Sequence, residues 1–275
     1  MNECKLVQFM TAASAYDGEF HWDAAGMGYV IVLPSGRFLV IDGGKSEDAE
    51  PLVRLLESLA EGKPRVAAWI LTHPHGDHVD ALDRIHGDPS LRSRLEWGLL
   101  FANGPTLKDE PMLPERLYRP ELEVFSSLLS SFGQDLRIPH AGERFSIDGV
   151  GLRFFFTQDE IPFEDDYNKM SMVFSLSLGG ETVMFTGDAY REPLRWAAER
   201  FGEELRADLC QLAHHGLNGG DREFYRLVGA KKVMIPTSKS GYMAMKTVQN
   251  ANRFAIDAAE SVFLAFEGTK EIPLT

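Results

Sequence analysis

Apolar residues fall into short β-branched and aromatic runs, separated by stretches in which they recur every three or four positions. Strands should therefore alternate with amphipathic helices. In the first half the runs predict strands over Lys5–Met10, Gly28–Leu33, Arg37–Ile41, Ala67–Thr72 and Trp97–Phe101. In the second half they predict strands over Arg144–Ile147, Leu152–Thr157, Met172–Leu178, Thr182–Thr186, Ala207–Leu212, Lys232–Ile235 and Ser261–Phe266. Helical periodicity covers Pro51–Glu61, Ala81–Ile85 and beyond, Glu121–Phe132, Pro193–Phe201, Arg222–Val228 and Met243–Arg253. Each half thus supplies a mixed sheet with helices outside it. The expectation is an α/β fold in which two sheets are sandwiched between helices. No low-complexity linker divides the halves, so one domain is expected over residues 1–275. Two segments resist the pattern. Residues 103–120 carry Pro105, Pro111, Pro114 and Pro120 and are expected to form an ordered surface excursion. Gln158–Asn168 carries five carboxylates and reads as a solvated loop.

Composition narrows the partners. With 41 acidic against 28 basic residues, the net charge of −13 repels polyanions and makes bulk nucleic acid a poor substrate. Two distant cysteines, Cys4 and Cys210, make no disulfide framework and read as buried thiols. The N-terminus lacks a basic flank before an apolar core, and no apolar run is long enough to span a bilayer. A cytoplasmic location and a small-molecule substrate, without membrane attachment, are the expectation.

Chemistry concentrates in AWILTHPHGDHVDA, where a strand ends at Thr72 and His73, His75, Asp77 and His78 follow within six residues. Imidazole nitrogen with carboxylate oxygen suits a borderline ion such as zinc, and ligands leaving a strand end can converge above the sheet. The alternate residues His73 and His75 could grip one ion, and the adjacent Asp77 and His78 another. Further ligand types recur at strand ends: Asp188 in VMFTGDA, then His214 and His215 in LCQLAHHG.

The ordered motifs DGG, HxHxDH, TGDA and HHG resemble the metallo-β-lactamase superfamily from Gly28 to about Thr237. The resemblance implies an αββα four-layer sandwich with two divalent ions at the sheet edges, zinc first and manganese as the alternative. It places His73 and His75 on the first ion, Asp77 and His78 on the second, and Asp188 between them. One of His214 and His215 would complete the second ion. It also implies that Asp42 in VIDGG orients the histidine loop from behind. Adjacent residues on an extended strand end face opposite sides, so both histidines should not reach one ion. His214 is favoured as the ligand, which leaves His215 to protonate a leaving group.

One departure shapes the reading. The family's third histidine for the first ion lies roughly twenty residues before the bridging aspartate, supplying the third protein ligand of a catalytic zinc. Here that stretch is YNKMSMVFSL, with Asn168 at the matching place. The Asn168–Ser171 pattern, followed by TGDA and HHG, is similar to the hydrolase domain of bacterial DNA-uptake channel proteins. That similarity implies phosphoester substrates, with Asp77, Asn168 and His215 in the reacting set.

The expected activity is dinuclear metal-dependent hydrolysis of a small phosphoester, with phosphodiesters favoured and a water bridging the two ions as nucleophile. Carboxylic esters, lactones, thioesters and β-lactam-type amides are the alternative, since the same nucleophile attacks carbonyls. A di-iron oxidoreductase is disfavoured by His75, where that branch of the family carries a glutamate. A non-catalytic binding scaffold is the third reading. The isolated His140 is read as structural, and His21 and His86, which have no partner pattern, as surface residues. Lys239 and Tyr242, in a turn-like segment, could touch a substrate oxygen or be ordinary loop residues. A lid built from the acidic segment with Phe163, Tyr167 and Trp22 would suit a cationic headgroup.

Overall fold

A computed structural model describes residues 4–21, 25–114, 117–162 and 165–274. In the first half the chain runs through β1 (Lys5–Gln8), β2 (Gly28–Val32), β3 (Phe38–Asp42), α1 (Ala49–Leu59), β4 (Val66–Ile70) and α2 (Gly76–Gly87). The short α3 (Pro89–Arg92), β5 (Leu99–Phe101), α4 (Arg119–Phe132) and β6 (Leu136–Arg137) complete that half. The second half begins with β7 (Arg144–Ile147), β8 (Val150–Phe156), β9 (Val173–Leu178), β10 (Glu181–Phe185), α5 (Arg191–Phe201), β11 (Leu209–Gln211) and α6 (Arg222–Val228). It ends with β12 (Lys232–Ile235), α7 (Lys239–Met245), α8 (Ala251–Ala258), β13 (Ser261–Leu264) and β14 (Lys270–Ile272).

Two seven-stranded mixed sheets result, ordered β14-β1-β2-β3-β4-β5-β6 and β13-β12-β11-β10-β9-β8-β7. Pairing is parallel from β3 to β6 and from β10 to β13, and antiparallel elsewhere. The last strand, β14, returns to pair with β1, so the first sheet holds both ends of the described chain.

Alternation along the strands explains the layering. In β3, Leu39 and Ile41 face the second sheet while Phe38 and Val40 face helices; in β4, Ala68 and Ile70 point inward and Trp69 outward. Both faces are apolar because both are covered, which is why the strands read as continuous hydrophobic runs. Between the sheets, Tyr29 meets Phe185 edge-on at 5.3 Å and Phe185 stacks on Phe174 at 5.4 Å. On one outside face, Leu52, Val53 and Leu56 of α1 pack with Val79 and Leu82 of α2 and Phe125 of α4. On the other, Leu194 and Ala197 of α5, Phe224 of α6 and Ala255 of α8 cover Met184, Cys210 and Val233. Helix, sheet, sheet and helix follow in order, the expected four layers.

Local expectations fail in several places. The periodicity across Met243–Arg253 does not make one helix. α7 ends at Met245 and α8 restarts at Ala251, where the Asn250 side chain accepts the Arg253 amide at 2.9 Å as a cap. Lys239 and Tyr242 accordingly sit on a helix rather than in a turn. The proline-rich excursion ends earlier than expected, because Pro120 lies in the first turn of α4, a position its missing N–H permits. The acidic segment is not simply solvated: it contains 3-10 turns at Gln158–Glu160 and Tyr167–Met170, and Tyr167 and Asn168 are buried. His86 is buried against Phe132 and Trp97 rather than superficial. Of the two cysteines, only Cys210 is fully buried.

Candidate metal centre

The chemistry-bearing residues gather where parallel strands end. Asp42 closes β3, His73 and His75 follow β4, Asp188 follows β10, and His214 and His215 follow β11. Asp77 and His78 belong to the first turn of α2, which starts at Gly76, five residues ahead of the expected start. Because these strands run in the same direction within each sheet, their carboxyl ends share one edge, and both sheets contribute to one cluster.

Ligand atoms of Asp77, His78, Asp188 and His215 all lie within 4.8 Å of one another. His215 Nε2 is 3.0 Å from Asp77 Oδ2 and 3.1 Å from Asp188 Oδ2. His78 Nε2 is 3.3 Å from the same Asp188 oxygen and 3.7 Å from Asp77 Oδ2. The contacts lie at ion-pair distance, yet His78 Nε2, His215 Nε2 and Asp188 Oδ1 are buried and make no aligned hydrogen bond among the described residues. Buried nitrogen and oxygen atoms that converge on one point without aligned hydrogen bonds suit a cation at that point, which would replace the imidazole protons as the partner of the carboxylates.

The far nitrogen of each imidazole explains its aim. His78 Nδ1 donates to Asp42 Oδ2 at 2.6 Å and His215 Nδ1 donates to the Pro236 carbonyl at 2.9 Å, which leaves each Nε2 free of its proton when neutral. Thr72 Oγ1 donates to Asp42 Oδ2 at 2.7 Å and lies 3.0 Å from His73 Nδ1, so it can accept that proton. His75 Nε2 points to Glu121 Oε2 at 4.0 Å. On the other side, His73 Nε2 and His75 Nδ1 face each other at 3.0 Å. The donor set thus divides into a pair of imidazole nitrogens and an adjacent group of two carboxylates and two imidazoles.

Electrostatics agree with this grouping. Burial alone would depress His78 and His215, yet the carboxylates around them win: His78 is raised well above its usual value and His215 is raised to about 9. Burial would raise Asp188 and Asp77, but the facing imidazoles hold both well below the normal carboxylate range. His73, facing imidazoles, is pushed far down by desolvation and by His78 and His75. The centre of the cluster calls for positive charge.

Of the two adjacent histidines, His215 rather than the expected His214 joins the cluster. The pair is not on an extended end: both residues are left-handed, with φ of 50° and 53°, in a one-turn helix over His214–Gly216. This strained geometry, costly for non-glycine residues, swings His215 into the cluster. His214 Nε2 stays 3.9 Å from Asp188 Oδ2, its Nδ1 is unpartnered, and burial lowers its pKa. Asn168 Nδ2 is 3.3 Å from Tyr190 Oη, and its buried Oδ1 has no hydrogen-bond partner among the described residues. His140 instead pairs with Asp159 in an exposed position. Trp22 and Phe163 lie outside the described residues.

Further residues support the cluster, and Glu121, Gln211 and Asn252 among them belong to no motif. Glu121, at the start of α4, stands behind His75 and accepts the Gly76 amide at 3.3 Å. Ser171 Oγ accepts the Asp188 amide at 3.1 Å, and buried Gln211 holds the Thr186 amide at 2.8 Å and the Gly187 carbonyl at 3.0 Å. Gly187 itself has φ 51°, and a Cβ there would stand 2.8 Å from Thr72 Cβ. Asn252 Nδ2 donates to the carbonyls of Ala213, Leu217 and Gly219 at 3.0, 3.3 and 3.2 Å, bracing the histidine loop from α8.

A four-layer sandwich with a cation-ready cluster at the sheet edge defines a class of metal-binding proteins, and comparison identifies it. A model of the metallo-β-lactamase superfamily matches residues 24–233, and the chain belongs to that superfamily. No curated protein matches it by sequence. Among solved structures it is similar to Zn2+-bound PqqB from Methylobacterium extorquens, at 11% identity over 98% of this chain and 100% of that one, with a TM-score of 0.58. It is also similar to the metallo-β-lactamase fold protein YhfI from Bacillus subtilis, at 14% identity over 98% and 100% of the two chains and a TM-score of 0.55. A diphosphatase of the PhnP family aligns at 13% identity over 99% and 98%, with a TM-score of 0.55. At such identities these likenesses establish the fold alone. Among the described residues no helix is long and apolar enough to cross a membrane.

Proposed function

We propose that this chain is a metal-dependent hydrolase of small phosphoesters, phosphodiesters above all, working with two divalent ions, zinc or manganese. The observation that carries the reading is the convergence of buried Nε2 and carboxylate atoms of Asp77, His78, Asp188 and His215 within 4.8 Å, with the back of each imidazole already fixed. His73 and His75 would hold the first ion. Asp77, His78 and His215 would hold the second, with Asp188 reaching both. Such ions supply Lewis acidity, lowering the pKa of water toward neutrality and offsetting charge on substrate oxygens.

The remaining groups position and select. His214, held neutral at pH 7 by burial, serves as a hydrogen-bonding group toward the substrate rather than as a charged acid. Asn168, steadied by Tyr190 and by its own amide on Asp166 Oδ1 at 2.9 Å, stands in for the family's third histidine. The superfamily consists mostly of metal-dependent hydrolases, with some di-iron oxidoreductase-like members. The phosphoester preference is supported by the resemblance of Asn168–Ser171 to DNA-uptake hydrolase domains and by the fold shared with a diphosphatase. Chromogenic phosphodiester, phosphomonoester, lactone and cephalosporin substrates, each assayed with zinc and with manganese, test it. Phosphodiester turnover lost in Asp188→Ala is the expected result; turnover of carbonyl substrates alone overturns it.

A further inference from the structure

Beside the centre lies a second feature that the hydrolytic reading does not use. Arg191 and Arg195 of α5 and Arg222 and Arg226 of α6 line one cavity of about 650 Å³, together with Asn218 and Asn250. Two carboxylates, Asp221 and Glu223, share that lining, so in a chain of net charge −13 the hollow keeps an excess of guanidinium over carboxylate. Their charge is only partly met. Arg226 is committed to Glu223 through bonds of 2.9 and 2.6 Å. Arg191 Nε and Arg195 Nη2 share one carboxylate, that of the buried Asp221, at 3.6 and 3.7 Å, beyond hydrogen-bonding range. Asp221 Oδ1 is occupied by the Phe224 amide at 3.0 Å, so this carboxylate anchors the floor of the hollow. Arg222 lies over the Phe254 ring at 5.7 Å and has no carboxylate partner among the described residues.

The cavity adjoins the metal-binding loops. Arg191 is three residues beyond Asp188, Gly220 donates to the Ala189 carbonyl at 3.2 Å, and a Cβ on Gly219 would touch His214 Cβ. Asn250 Nδ2, on the cavity wall, donates to the Leu217 carbonyl in the same loop. We propose that this hollow is an oxyanion site for a phosphate group, held by Arg191, Arg195 and Arg222. Guanidinium forks match the oxygens of phosphate, and the volume accommodates a group larger than the anion itself. The phosphate is either a second phosphoryl group on the substrate or a free ion that steadies the histidine loop. Binding stands independently of the hydrolase reading, whereas its service to a substrate rests on that reading.

Calorimetric titration of inorganic phosphate into wild type, Asp188→Ala and the double variant R195Q/R222Q tests the proposal, with thermal denaturation to confirm folding. Saturable binding is expected in wild type and in Asp188→Ala, weakened roughly tenfold or more in R195Q/R222Q, since charge-assisted bonds carry the site. In the wild type, NMR should show phosphate shifting the Gly219 and Gly220 amide signals, a readout that needs no variant. No saturable binding, equal binding in R195Q/R222Q, or unmoved glycine signals overturns it. Two chromogenic phosphodiesters, with and without a terminal phosphate, separate the sources. A KM increase in R195Q/R222Q confined to the first assigns the site to substrate. Free phosphate altering turnover of the second in wild type alone assigns it to the ion. If neither ester turns over, the hydrolase reading fails while the titration still decides the site.

Discussion

Replacing Asp42 by asparagine should disable the metal centre without touching a residue that points into it. Asp42 is fully buried, accepts the Thr72 amide at 2.8 Å through Oδ1, and receives Thr72 Oγ1 at 2.7 Å and His78 Nδ1 at 2.6 Å through Oδ2. Asparagine keeps the volume and tolerates the left-handed backbone at φ 50°, so neither packing nor strain is disturbed. Its Oδ1 can still serve Thr72, but the amide N–H group then confronts two donors. To relieve this, His78 must present a bare Nδ1 and carry its proton on Nε2, the atom aimed at the cation. Losing a buried charge-assisted bond costs about 2–3 kcal/mol, a fall in Tm of roughly 4–10 °C for a chain of this size. Zinc affinity should fall by roughly 10- to 100-fold, as for other carboxylates behind metal-bound histidines. Competition against a chromogenic chelator measures the affinity, and circular dichroism during heating measures the stability. A folded Asp42→Asn variant with zinc affinity within about twofold of wild type would refute the claim that Asp42 sets the histidine's tautomer.

Other consequences follow from the same geometry. Gly187→Ala sets a Cβ 2.8 Å from Thr72 Cβ at φ 51°, so it should cost about 2–4 kcal/mol in chemical denaturation; an unchanged midpoint contradicts the close approach. In the metal-free chain, His215 titrates near 9 and His78 is raised as well, so cation binding near pH 7 should expel up to about two protons and strengthen as pH rises. Calorimetry in buffers of different ionisation enthalpy reads that number, and no proton release contradicts it. The sign for the metal-free fold is opposite: stability from the charged His215 is fully present below its unfolded value of 6.5 and is lost as pH climbs through about 9. Asn252→Ala removes the donor shared by three carbonyls and should cost about 2–3 kcal/mol. Its hydrogen exchange should quicken selectively over 213–220; uniform exchange contradicts the bracing role.

Long elements with regular periodicity were legible in the sequence, and short or cap-governed ones were not. The two-residue β6 and three-residue β14 are too brief to show alternation and exist because neighbouring strands offer them an edge. The apolar rhythm across Met243–Arg253 hid the helix break at Asn250, where a cap outweighed periodicity. The histidine-rich motif was visible because its ligands are close in sequence. The ranking of His214 and His215 was not, because it depends on two consecutive left-handed residues that no pattern announces. Glu121 was invisible for a different reason: its partner His75 is forty-six positions away on another element, and nothing in either neighbourhood links them.

The cluster draws Asp77 and His78 from one sheet's edge and Asp188 and His215 from the other's. Any ion seated among them would therefore act as a rivet between the two halves of the molecule, contributing about 4 kcal/mol to cohesion at a thousandfold excess over its dissociation constant. Metal scarcity would then be felt twice, as an empty centre and as a chain that proteases open more readily.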